Sequence, residues 1–168
     1  TAASPLGATM ETRQALRAEG IAPMALGTFT AAPAIAGGDR RIQIRGDALV
    51  PPGGGTFSGF LRTTLETELS APGRLDPASG TVVSGEIVES MVDSMASTPN
   101  AALAARFTVT RAGSVAFDKV IRVTDRWDYE FIGALAIPEA QERYVGLYTT
   151  LVRALVSDPE FRAAVSAR

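Results

Sequence analysis

Apolar residues recur along this chain with two different periods, and the switches between them divide it into elements. Phe57, Phe60, Leu61, Thr64, Leu65 and Leu69 fall at i, i+3, i+4, i+7, i+8 and i+12, which predicts a helix with a single buried stripe. Thr56 stands where an N-cap belongs, Pro72-Gly73 ends the run, and Arg62, Glu66 and Glu68 are assigned to the opposite face. A second helix is predicted from about Pro138, with Glu139 and Glu142 in its first turn, where the helix dipole favours negative charge. Its stripe is Tyr144, Leu147, Tyr148, Leu151, Val152 and Leu155. A short restart follows at SDPEFRAAV, with Ser157 and Glu160 in capping-box positions.

Elsewhere the period is two. Strands are predicted over 24–31 and 40–46, joined by a turn at AAPAIAGGD, and DALVPPGGG reads as a connector. In the strand 81–93, Val83, Ile87 and Met91 share one face and Val82, Val88 and Val92 the other, so both faces are expected to be partly covered. Leu103, Ala105, Phe107 and Val109 then alternate with Arg106, Thr108 and Thr110, and RAGS at 111–114 marks a hairpin. The return strand presents Val115, Phe117, Ile121 and Val123 inward. Carried on in twos, Asp125, Trp127, Tyr129 and Phe131 keep that parity while Arg126, Asp128 and Glu130 take the other, with a bend expected near Thr124–Arg126 because an unbroken strand from 115 to 131 would be unusually long.

The resulting order, β-β-α-β-β-β-α, predicts an α+β fold in which both helices pack on one face of a mainly antiparallel sheet. Residues 1–23, rich in Ala, Thr, Gly and Pro, are expected to form a loosely ordered lead to a single domain over 24–168. A chain of 168 residues buries enough surface to hold a core without staples.

Composition removes chemistry more than it suggests it. With no His and no Cys, disulfides, thiol nucleophiles, Cys/His zinc sites and histidine-based triads are all excluded. A net charge of −2 argues against a phosphate-neutralising surface, so no nucleic-acid partner is expected. No apolar run approaches the length of a membrane-spanning helix. The opening TAASPLGATMETR has neither an initiator Met nor a basic-apolar signal, so a segment is expected to precede Thr1.

What chemistry remains is thin. PPGGGTFSG sets three glycines before a helix start, yet it has Ser58 where a dinucleotide fingerprint needs its last glycine, and it lacks the Gly-Lys ending of a Walker loop. Carboxylate catalysis survives the loss of His and Cys, but within the strand 81–93 parity sets Glu86 on one face and Glu89 and Asp93 on the other, and no spacing brings a second acid to a paired separation. Lys119, the only lysine, follows no SxxK spacing and is placed with Asp118 at a sheet surface or edge. No catalytic residue, metal ligand or cofactor is assigned. Trp127, Tyr129, Phe131, Ile132, Leu135, Tyr144 and Tyr148 are either core or the lining of an apolar groove between the sheet end and the last helix, and as a groove they are the candidate ligand or partner site.

FSGFLRTTLETELSAPGRLDPAS, VVSGEIVES, LAARFTVTRAGSVAFDKVIRV and LYTTLVRALVSDPEFRAA, taken together, resemble the YajG-like and ABC-type transport auxiliary lipoproteins of Gram-negative envelopes over about 24–165. The resemblance implies a lipidated Cys upstream of Thr1, a periplasmic, outer-membrane-anchored location, and a non-catalytic accessory role beside lipid transport, with an envelope protein or a lipid as partner. Two alternatives stay open: a carrier holding an apolar molecule between sheet and helices, and a hydrolase using carboxylates alone.

Overall fold

The computed structural model describes Met10, residues 20–128 and residues 133–167, the side chains of residues 133–135 excepted. Four strands form the main sheet: β1 (Ala25–Ala31), β4 (Thr81–Asp93), β5 (Asn100–Arg111) and β6 (Ser114–Arg126), in the order β1-β4-β5-β6. β4, β5 and β6 run antiparallel in sequence, while β1 joins β4 in parallel. A parallel neighbour needs a crossover. Here the crossover contains a 3₁₀ helix (Pro33–Asp39), a small hairpin of β2 (Ile42–Ile44) and β3 (Asp47–Leu49), and helix α1 (Phe57–Ser70). After β6 come α2 (Gly133–Ser157) and α3 (Pro159–Ala164). α1 packs on β1 and β4 while α2 packs on β5 and β6, which is the predicted α+β arrangement.

The helices form where the stripes place them. All six predicted stripe residues of α1 are buried, and so are all six of α2. Each fully buried Leu contributes about 1.5–3 kcal/mol by leaving water, so Leu61 and Leu65, both at 0% exposure, anchor α1. Thr56 caps α1 through its Oγ1, which accepts the Gly59 N–H at 3.0 Å. Glu68 departs from expectation, being fully buried. It lies eleven residues after Phe57, three full turns, and so returns to the apolar stripe rather than the far face. α2 begins at Gly133, which places Pro138 inside the helix, where it gives up one backbone donor. The cap of α3 is Asp158, not Ser157, which closes α2: Asp158 Oδ1 accepts from the Glu160 and Phe161 N–H groups at 2.9 and 3.1 Å.

Two bulges revise the strand faces. Ile87 pairs with Ala105 but Glu89 with Ala104, so Val88 is the extra residue and parity inverts beyond it. Met91 therefore turns outward, while Val92 packs on the core and Ser90 bonds to Tyr144 beneath the sheet. Val109 pairs with Phe117 but Thr110 with Val115, which leaves Ala116 extra and turns Val115 to solvent at 64% exposure. No shift occurs near Thr124–Arg126, where a bend was expected, because β6 ends at Arg126 and needs none. The assigned strand ends at Arg126, but Trp127 keeps the register with its N–H on the Pro99 carbonyl and is buried between exposed Arg126 and Asp128, as the alternation predicts; Tyr129 to Ile132 lie outside the described residues.

The expected strand over 40–46 is shorter, and part of the expected connector pairs with it. Arg45 and Gly46, both at positive φ (52° and 84°), make the tight turn that folds β3 back on β2. AAPAIAGGD winds into the 3₁₀ helix. The small hairpin is tied across the end of the core by Arg45 Nη2 to the Ser94 carbonyl (2.7 Å) and by Gln141 Nε2 to Asp47 Oδ2 (3.1 Å). At the front of the domain Ile21 is buried and bridges Ser166.

Candidate functional site

The aromatic set divides between core and margin. Tyr144 and Tyr148, one turn apart on α2, are both fully buried against α1. Phe57 meets Tyr144 edge-on with ring centroids 5.4 Å apart, and Phe60 lies 4.9 Å from Tyr148. Their hydroxyls form a chain, Ser90 Oγ to Tyr144 Oη to Tyr148 Oη, each link 2.7 Å. The chain solves a burial problem, since an unpartnered phenol in the core would cost about 1–3 kcal/mol. Burial pushes the Tyr144 hydroxyl up to about 12, against the opposing effect of its bonds to Ser90 and Tyr148. Tyr148 is raised well above its ordinary value, first by burial and then by the neighbouring Tyr144.

Trp127 is 7% exposed at the far end of β6, with the Arg143 guanidinium 5.7 Å from its ring centre. Arg143 is held in turn by Glu139 and Asp125 at 3.2 and 3.4 Å. Of the remaining groove residues, Tyr129, Phe131 and Ile132, and the side chain of Leu135, lie outside the described residues. The structure thus brings Tyr144 and Tyr148 together inside the core and sets Trp127 at the sheet end.

The carboxylates face a different way from the expected one. Because Val88 bulges, Glu86 and Glu89 share the outer face of the sheet, the one opposite the helices. Glu89 is bound by Arg122 through two contacts of 2.6 and 3.2 Å, which hold its carboxyl below the usual range. A carboxylate so held is a poor proton donor at neutral pH. Glu89, Ala104 and Arg122 are neighbours across three strands, so this ion pair spans Ala104 and accounts for its burial on a face without helices. Arg106 clasps Asp118 in the same way, at 2.7 and 2.5 Å, lowering the Asp118 carboxyl. Beside it, Thr28, Thr30, Ser84, Glu86, Arg106 and Thr108 line a shallow polar depression.

Two other sequence candidates are occupied by local structure. Lys119 donates to Asp158 Oδ2 at 2.7 Å and reaches Glu160 at 3.4 Å, contacts that raise its pKa and keep it protonated, unlike an activating base. The Gly53–Gly55 loop adopts positive φ throughout (77°, 83° and 81°), but the helix start behind it already holds an anion. Asp39 Oδ1 takes the Ser58 N–H at 2.8 Å and Oδ2 takes the Ser58 hydroxyl at 2.7 Å. A phosphate there would meet a carboxylate. Asp39 lies nineteen residues before its partner, and no local pattern marks it as a cap.

No protein-family model matches the chain, and no curated protein does. Solved structures do match, at identities that show the fold alone. Protein XCC0632 from Xanthomonas campestris, of the family DUF330, superposes with a TM-score of 0.68 at 12% identity, over 97% of this chain and 96% of its own. The hypothetical protein CT253 from Chlamydia trachomatis gives 0.53 at 13% identity, over 88% and 99%. A minor lipoprotein from Acinetobacter baumannii gives 0.51 at 11%, over 90% and 99%. The chain therefore shares the whole domain fold of proteins that include a bacterial lipoprotein.

Proposed function

We propose that this chain is a non-catalytic component of a Gram-negative envelope, anchored to the outer membrane by a lipid on a residue upstream of Thr1, and that it serves a lipid-transport system by binding another envelope protein. The observation that carries the reading is the full-length fold shared with the Acinetobacter minor lipoprotein, together with the sequence resemblance to auxiliary lipoproteins. Two features of the molecule support it. Among the described residues no helix is long and apolar enough to cross a membrane, so membrane attachment would fall to an appended lipid. Of the groups the sequence offers for catalysis, Glu89, Asp118 and Lys119 are engaged in ion pairs and Asp93 accepts the Met95 and Ala96 N–H groups, so none of these four is a poised acid or base.

The interior between sheet and helices is filled by Phe57, Leu61, Leu65, Phe107, Tyr144 and Tyr148, none more than 1% exposed. On this reading the binding surface is the outer face and edges of the sheet. The test is intact-mass analysis of the full-length gene product from its native host, with metabolic labelling by a fatty-acid analogue. A diacylglyceryl-size mass increase on a residue before Thr1 supports the reading, and an unmodified N-terminus retires it.

A further inference from the structure

The free edge of β6 carries a charge pattern that complements itself. Trp127 donates its N–H to the Pro99 carbonyl, which fixes the phase of the β5–β6 ladder. Odd-numbered residues of β6 from Phe117 onward face β5 with their backbone groups, and Asp118, Val120, Arg122 and Thr124 direct theirs to the open side. β6 is the last strand of the sheet, and no other element among the described residues bonds to those four backbones. The side chains of the same four residues stand on the outer face, all exposed, with Val120 at 52%. A long, unpaired edge is a template for another strand.

We propose that β6 pairs antiparallel with β6 of a second copy about a twofold axis at Val120, continuing the four strands into an eight-stranded sheet. This inference rests on the strand edge and is independent of the envelope reading. Antiparallel pairing about Val120 sets Val120 against Val120 of the second copy and Asp118 against its Arg122, twice by symmetry. On the helix side it sets Lys119 opposite Ile121 and Phe117 opposite Val123, so no like charges meet. Neighbouring registers lose this: centring on Lys119 opposes two lysines, on Asp118 two aspartates, on Arg122 two arginines, and on Ile121 forms no ion pair. In the favoured register each Asp118 lies between its own Arg106 and the arginine of the other copy, and each Arg122 between Glu89 and that copy's aspartate. The existing pairs are extended into a ladder of alternating sign. A single strand edge is small beside the roughly 1,200–2,000 Å² of stable interfaces, so the dimer is weak and concentration-dependent.

The absence of cysteine makes the register directly testable, since one introduced thiol has no competitor. Val120→Cys brings two thiols together across the axis, with Cα atoms about 5.5 Å apart, inside the range of about 4.4–6.8 Å that a disulfide spans. It should give a disulfide dimer under mild oxidation. Thr124→Cys separates its thiols by eight residues, about 27 Å, and should stay monomeric. Both variants are surface changes, and circular dichroism matching the parent establishes that they fold. A Val120→Cys protein that remains monomeric, or a Thr124→Cys protein that cross-links as readily, overturns the proposal. The charge test is a mixture. Asp118→Arg and Arg122→Asp should each weaken self-association about tenfold in sedimentation equilibrium, while the two combined should form a heterodimer, because every opposed pair is again opposite in sign. Failure of the mixture to associate better than either variant alone would equally overturn it, leaving the edge to a strand of some other protein.

Discussion

The two buried tyrosines of α2 give a test of whether this region is core or open groove. The unfolded chain ionises tyrosine near pH 10, whereas burial pushes Tyr144 up to about 12 in the folded protein. Below about pH 10 both states keep the proton and the full stability is present. Between about 10 and 12 the unfolded state releases its proton first, so stability falls as pH rises and the loss is complete above the folded value. Two pH units at about 1.36 kcal/mol each give roughly 3 kcal/mol from this phenol, and Tyr148, raised for the same reason, adds in the same direction. The assay is urea unfolding across pH 8 to 12, with phenolate absorbance recorded in parallel. Two of the three tyrosines should resist ionisation until the protein unfolds. Tyr144→Phe should flatten the alkaline limb while costing about 1 kcal/mol at neutral pH, because Ser90 and Tyr148 each lose a hydrogen-bond partner. All three phenols titrating together near pH 10 with the native spectrum retained would refute the placement of Tyr144 and Tyr148 in the core.

Three further outcomes follow from the packing and the caps. A Cβ at Gly85 would come within 2.8 Å of the Phe29 ring, its neighbour on β1, so Gly85→Ala should cost about 1–3 kcal/mol. Thermal unfolding should fall by about 2–4 °C for each kcal/mol, and a double-mutant cycle with Phe29→Ala should recover part of the loss. Asp158→Ala removes the cap of α3 and the partner of Lys119, and should cost about 1 kcal/mol. Lys119 and the two backbone N–H groups hold the Asp158 carboxyl below its ordinary value, so its contribution is present above the unfolded value and disappears as pH falls through the lowered one. The variant should therefore show a shallower acid limb in pH-dependent unfolding. Glu89→Gln loses only an exposed ion pair and should change stability by less than about 1 kcal/mol in urea titration.

The legible parts of this fold are those in which one face of an element is buried and the other wet. α1 and α2 satisfy that condition, as does β5 from Ala105 to Val109, and their predicted stripe residues are buried where periodicity places them; at Ala102 and Ala104 the outer face of β5 is covered as well. The misreadings arise where a local insertion breaks the period. Val88 and Ala116 each add one residue to a strand, and neither has a side chain that announces a bulge, so Met91 leaves the face of Val83 and Ile87, and Val115 the face of Phe117, that unbroken alternation gives them. Glu68 was misplaced because its charge outweighed its helical phase. The α1 cap by Asp39 had no sequence signature, since its partner comes from a separate element. At the candidate groove, residue type alone did not separate a buried tyrosine from a surface one: that difference rests on α1 packing over α2, a contact between segments far apart in the chain.

The parallel attachment of β1 bears on the order in which the domain assembles. β4, β5 and β6 are joined by short loops, so their contacts close early at low entropic cost. β1 reaches its place only once the whole crossover, including α1, has been arranged. It is then the strand most easily released again: native-state hydrogen exchange should show β1 amides opening before those of central β5, and equal protection of the two would contradict this sequence of events.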